Sequence, residues 1–100
     1  MQDKDSLFQK LNRETAQIEW QALQPFFARG QAIRVDSELD LVAVAMAFAS
    51  DDSAAVQAWM ADRRVAPVSE QEAGVWSQTN PQMWAVVVAP FVLIQPGKAH

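Results

Sequence analysis

Acidic side chains hold most of the chemistry this chain could perform. They fall in three groups: Asp36, Glu38 and Asp40; Asp51 and Asp52; Glu70 and Glu72. Clustered carboxylates can hold a hard divalent cation or share acid and base work. Asp36-x-Glu38-x-Asp40 matches the opening of a calcium loop. Such a loop needs Gly at its sixth position and Glu at its twelfth, where this chain has Leu41 and Ala47. An EF-hand is excluded. The surviving metal reading is a divalent ion held jointly by Asp36, Asp40 and Asp51. The simpler reading is that each group marks a helix start, where negative charge offsets the helix dipole.

Other chemistries lack their parts. There is no Cys and no Tyr, and the single His is residue 100. A thiol nucleophile, a disulfide scaffold and a zinc finger are excluded. A terminal His is held too loosely for general-base work. Gly30, Gly74 and Gly97 stand apart, so no glycine loop cradles phosphate. The expectation is a non-enzymatic protein with no cofactor. Eight Lys and Arg are scattered among twelve Asp and Glu, for a net charge of −4. That balance suits neither a nucleic-acid backbone nor an anionic membrane surface. Residues 1–5 are polar, with no apolar signal core behind them. The apolar runs 41–49 and 83–94 fall short of the ~20 residues a spanning helix needs. A cytoplasmic location is expected.

Placing these groups requires a framework, and the spacing of apolar residues predicts one. Ser6 caps a first helix with Leu7, Phe8, Leu11 and Thr15 near one stripe. A second helix covers 20–29. Pro25 must start it or lie in its first turn, since an interior Pro costs ~3 kcal/mol. Gly30 ends it in a left-handed conformation. Ser37 to Asp40 forms a partial capping box before a third helix, 39–49. That helix is apolar almost all round and should be buried at the centre. A strand with Val42, Val44, Met46 and Phe48 on one face is the competing reading.

Asp51-Asp52-Ser53 opens a fourth helix, with Val56, Trp59 and Met60 facing inward. Ser69-Glu70-Gln71-Glu72 is a full capping box and opens a fifth, through Trp76. Residues 32–35 and 65–68 read as short strands. Residues 83–95 are rich in Val and aromatics, but Pro90 interrupts them, implying an edge, a bulge or two short strands. An echo at a spacing of 33 aligns 23–28 with 56–61, and Val35 with Val68. The expectation is one α+β domain over residues 1–95, with about five helices on a small sheet of three short strands. It reads as two αβα-like units plus a C-terminal strand, with 96–100 as a flexible tail.

Two short strands cannot cover thirteen β-prone residues, so an apolar edge should be left open. This predicts a homodimer, or another protein partner, covering Trp84, Val86, Val88 and Phe91. Of the four Trp, Trp59 and Trp76 lie on inward stripes, and Trp84 is the one placed to face a partner.

A longer pattern runs through these elements. It comprises Trp20-x-x-Leu23-x-x-Phe26-Phe27-Ala28-x-Gly30, Leu39-Asp40-Leu41-Val42-x-Val44-Ala45, and Asp51-Asp52 with Trp59. It closes on Trp84-Ala85-Val86-Val87-Val88-x-Pro90-x-Val92-Leu93-x-Gln95, its most specific part. Over residues 11–95 the chain resembles a family of small bacterial proteins, domain of unknown function 2288. The resemblance implies a bacterial cytoplasmic protein and no particular activity. Pro25 and Arg63 depart from the pattern, Arg63 standing where a turn Gly is expected. The functional expectation is an interaction or regulatory module. The alternative is a small-ligand or divalent-metal domain using the acids of 36–52.

Overall fold

Pro90 cannot donate to a strand ladder, and the C-terminal apolar run breaks there into two strands. The computed structural model describes residues 4–96. In chain order these form α1 Lys4–Glu14, β1 Ala16–Glu19, α2 Trp20–Ala28, β2 Ala32–Val35 and α3 Leu41–Ala49. They continue with α4 Ser53–Ala61, β3 Val65–Pro67, α5 Glu70–Thr79, β4 Gln82–Val88 and β5 Phe91–Pro96. The chain is α+β as expected, but the sheet has five strands, not three, in the order β1-β4-β5-β2-β3. β2 and β5 run parallel, and the other neighbours are antiparallel.

The two extra strands have separate causes. Residues 83–95 fold back on themselves as the β4–β5 hairpin, through a turn whose Ala89-Pro90 peptide is cis. β1 is only four residues, runs straight into α2 and half-buries only Ile18, so it leaves no alternating pattern to read. β4 is paired on both sides, by β1 and β5, and β5 by β4 and β2. The open apolar edge expected in 83–95 is therefore absent, and with it the ground for a dimer through that edge. Pro96 pairs with Met83 and does not begin a frayed tail. Residues 97–100, including the terminal His, lie outside the described residues.

Strand alternation sorts the core into two halves. Met83, Ala85, Val92, Ile94 and Ala32 face α2 and α5, with Trp20, Leu23 and Ala73. Val86, Leu93, Ile33 and Val35 face the other way, with Leu11 of α1, four residues of α3 and the half-buried Trp59 of α4. The result is helices, sheet, helices. α3 is a helix as predicted and buries Leu41, Val42, Val44, Ala45 and Ala47, but it lies on one face of the sheet with Ala43 and Ala49 exposed rather than at the centre. The strand alternative fails there because alanines favour helix.

The helix starts differ in detail. Ser6 lies inside α1 rather than capping it. Asp40, not Ser37, caps α3: its Oδ1 accepts from the amides of Val42 (3.0 Å) and Ala43 (3.4 Å). Ser69 and Glu72 form the predicted capping box of α5. Pro25 sits inside α2, past its first turn. Gln21, whose carbonyl thereby loses its helical donor, is exposed along with Pro25, so water can replace that bond. Burial of Trp20 and Leu23 holds the helix regardless. α4 has no buried residue, and Met60 is exposed rather than inward-facing.

Three helices end in the same way. After α2, α3 and α4, the residues Gly30, Asp51 and Arg63 take positive φ values of 74°, 56° and 61°. In each case its own amide and the next one return to the last helical carbonyls, as in Gln31 to Phe26, Asp52 to Ala47 and Arg64 to Trp59 (each 2.9 Å). The echo at 33 residues is thus a repeated unit of helix, left-handed cap and strand. It stops there, because α2 and α4 pack on opposite faces of the sheet.

Arg63 is the costly member of this set. A side chain in the left-handed region costs about 1–2 kcal/mol, and the greater unfolded freedom of Gly returns ~0.5–1 of that. Arg63→Gly should therefore stabilise the protein by roughly 0.5–1 kcal/mol, read as a higher urea midpoint with unchanged slope. The bond that Arg34 Nη2 donates to the Arg63 carbonyl survives the change. A lower midpoint would mean that the Arg63 side chain contributes more than its backbone costs.

Candidate functional site

The chain reverses between α3 and α4 in very few residues. Asp51 makes the reversal by taking the left-handed conformation, and Asp52 then caps α4, accepting from the Ala55 amide at 3.2 Å. Opposite this corner stands the β4–β5 turn. Between them lies an open groove of about 410 Å³. Its floor is Ala47, Phe48, Val56, Val88, Pro90 and Phe91, and Asp51, Asp52 and Ser53 form its acidic rim. Phe48 and Phe91 meet edge to face, with ring centres 6.0 Å apart. A second hollow of about 360 Å³, lined by Met46, Ser50 and Trp59 among others, shares Ala47 and Asp52 with the first. The two hollows are neighbours at the α3–α4 corner, with Ala47 and Asp52 lining both.

The expected site residues divide between this groove and the core. Val88, Phe91 and Asp51 come together in the groove. Val86 is 1% exposed and cannot reach a partner. Trp84 is half-buried against the core beneath α1 and α3, not displayed on an edge. Trp59 and Trp76 are also half-buried, and Trp20 alone is fully enclosed.

Asp36, Asp40 and Asp51 are not brought together. Asp36 Oδ1 accepts the Glu38 amide at 3.0 Å, closing the loop before α3. Asp40 caps the start of α3, and Asp51 lies beyond its end. At 1.5 Å per residue that separation is about 15 Å, far beyond one ion's coordination shell. Among the described residues no three Asp, Glu, His or Cys side chains gather as metal ligands. The joint metal site is therefore corrected: these acids serve backbone turns and caps.

A polar hollow of about 220 Å³ lies on the other face, by Trp20, Gln21, Gln24, Ser77 and Asn80. Several of its polar groups are already used. Trp20 Nε1 donates to Ser77 Oγ (3.2 Å), the Gln21 amide to Asn80 Oδ1 (2.9 Å), and Asn80 Nδ2 to Glu19 Oε1 (2.9 Å). At the start of α5, Arg34 Nε lies 2.8 Å from Glu72 Oε2 but is aimed poorly at it, so the contact is ionic rather than a hydrogen bond.

Phe48, Val56 and Pro90 were not expected at a site. Phe48 read as core and Val56 as an inner helix face. Only the hairpin turn at Pro90 brings them together.

No helix among the described residues is long and apolar enough to cross a membrane. A family model described as "Protein of unknown function (DUF2288)" matches residues 6–96. The NMR solution structure of PA1075 from Pseudomonas aeruginosa is similar, at 44% identity and a TM-score of 0.81. That alignment covers 100% of this chain and 96% of PA1075. No curated protein matches the chain.

Proposed function

The chain belongs to the family of proteins of unknown function DUF2288, and from that premise we propose that it is a non-enzymatic interaction module. Its α3–α4 groove takes a short segment of a partner protein. One observation carries this reading: Phe48, Val56, Val88 and Phe91 are each half-buried, so they are held by the fold yet still offer apolar surface along one open groove. A pocket for a small molecule usually encloses most of its ligand. This groove is open rather than enclosed, which suits a chain segment better. The lack of Cys and Tyr supports a binding rather than a catalytic role. The Pseudomonas aeruginosa source of PA1075 supports a bacterial origin.

A displayed library of random peptides tests the proposal. Enriched peptides should shift the amide resonances of Phe48, Val56, Val88 and Phe91 in the labelled protein. Binding should be lost in Ser53→Trp, which fills the groove from an exposed position at the start of α4. The melting midpoint of that variant should stay unchanged. Peptides that perturb another surface, or no enrichment at all, would overturn the reading. A saturable rise in melting midpoint with calcium, magnesium or manganese would favour the acids as ligands instead.

A further inference from the structure

We infer that the segment held in this groove is basic, with Lys or Arg beside an apolar anchor. This rests on the groove reading above and adds the chemistry of the occupant. The floor is apolar, but the rim at the α3–α4 corner carries two neighbouring carboxylates, and among the described residues no Lys or Arg lines the groove. Asp51 makes no side-chain hydrogen bond or ion pair with the described residues, because its structural role is performed by its backbone. Asp52 caps α4 through Oδ1 alone. Both acids therefore remain available to a ligand.

An incoming cation would gain from these acids and from the chain's net charge of −4, while an acidic segment would be repelled. Arg fits the pair best, since its planar fork can bond a carboxylate through two N–H groups at once. The basic doublet Arg63-Arg64 of a second copy cannot be this segment, because both its amides are committed to closing α4.

Three synthetic peptides share one alternating Leu and Ser core and differ only in a flanking pair: Arg-Arg, Gln-Gln or Glu-Glu. Binding to the full chain is measured by fluorescence anisotropy at low and high salt, and its location by amide shifts. The Arg-Arg peptide should bind in the groove roughly tenfold more tightly than Gln-Gln, and high salt should narrow the gap. Glu-Glu should bind most weakly. The double variant Asp51→Asn, Asp52→Asn should bring Arg-Arg down to the Gln-Gln level. Asn tolerates the left-handed conformation and still caps a helix, so the fold is preserved.

Equal binding of all three peptides in the groove would overturn the basic-segment inference and leave the groove reading standing. Binding elsewhere, or none, would overturn both. A chain that sediments as a dimer with these groove resonances buried, and that Ser53→Trp returns to monomer, would make a second copy the occupant and overturn the inference.

Discussion

Trp20→Ala should lose roughly 3–5 kcal/mol of stability, the usual range for deleting an enclosed aromatic. Trp20 is 0% exposed and stands at the first position of α2. Its ring meets Trp76 edge-on at 5.2 Å and Phe27 at 5.8 Å. Its indole donates to Ser77, and its amide donates to the Pro81 carbonyl at 2.9 Å. One residue thus ties the start of α2 to the end of α5 and to the entry of β4. Truncation would open a void between two helices that cannot collapse without moving the sheet. Trp20→Phe keeps most of the ring and loses the Ser77 bond, so it should lose only about 1–2 kcal/mol. Urea unfolding followed by circular dichroism gives both values. A loss below about 1 kcal/mol for Trp20→Ala would show that this half of the core repacks freely.

Helix positions were legible in the sequence because their signals are local. Gly30, Asp52 and the Ser69–Glu72 pair mark helix ends within a few residues of themselves, and the apolar run at 41–49 had to bury most of its surface; the partial capping box puts the start of α3 at Ser37, three residues before its actual cap, Asp40. Arg63 was legible only through the family resemblance, whose pattern implies a turn Gly there, and it takes a glycine-like φ. The sheet was less legible because pairing is not local. Nothing in residues 16–19 announces that β4 lies beside them, and whether Pro90 bends a strand or reverses it depends on what lies opposite. The inferred dimer edge followed from counting too few strands. Once β1 and the hairpin are present, the same apolar residues find partners inside the chain.

The groove could be read only in fragments. Val88 and Phe91 were picked out for exposed apolar character and Asp51 for its charge, on separate arguments. A left-handed residue at one corner and a hairpin turn at another place them on one groove. Asp36 and Asp40 shared the same acidic signal as Asp51, but their side chains bond backbone amides. Charge alone does not distinguish an acid that caps a helix from one left free.

Gln95→Glu should lose roughly 3–5 kcal/mol at neutral pH, and the loss should depend on pH. Gln95 is a polar residue only 3% exposed. From β5, its Nε2 donates to the carbonyls of Asp36 (2.8 Å) and Leu39 (2.7 Å), fastening the loop that carries the Asp40 cap and the start of α3. A carboxylate there would meet two carbonyl oxygens with no proton to offer them. Both burial and the facing oxygens disfavour the charged form, so the folded-state pKa of the new carboxyl must rise above its unfolded value of ~4.3. The folded state then binds more protons than the unfolded state, and stability falls as pH rises. The variant should be closest to wild type below pH ~4, where the protonated carboxyl still donates to one carbonyl. Its deficit should grow as pH climbs through the raised folded pKa. Gln95→Leu takes a donor from both carbonyls and leaves Asp36 only the Leu39 amide at 3.0 Å, but it adds no charge, so it should lose about 1–3 kcal/mol with no added pH dependence. Urea midpoints of wild type and both variants across the acid-to-neutral range separate the two effects. Parallel curves for Gln95→Glu and wild type would mean that the loop yields and water reaches the carboxylate, and that Gln95 does not hold the α3 start in place.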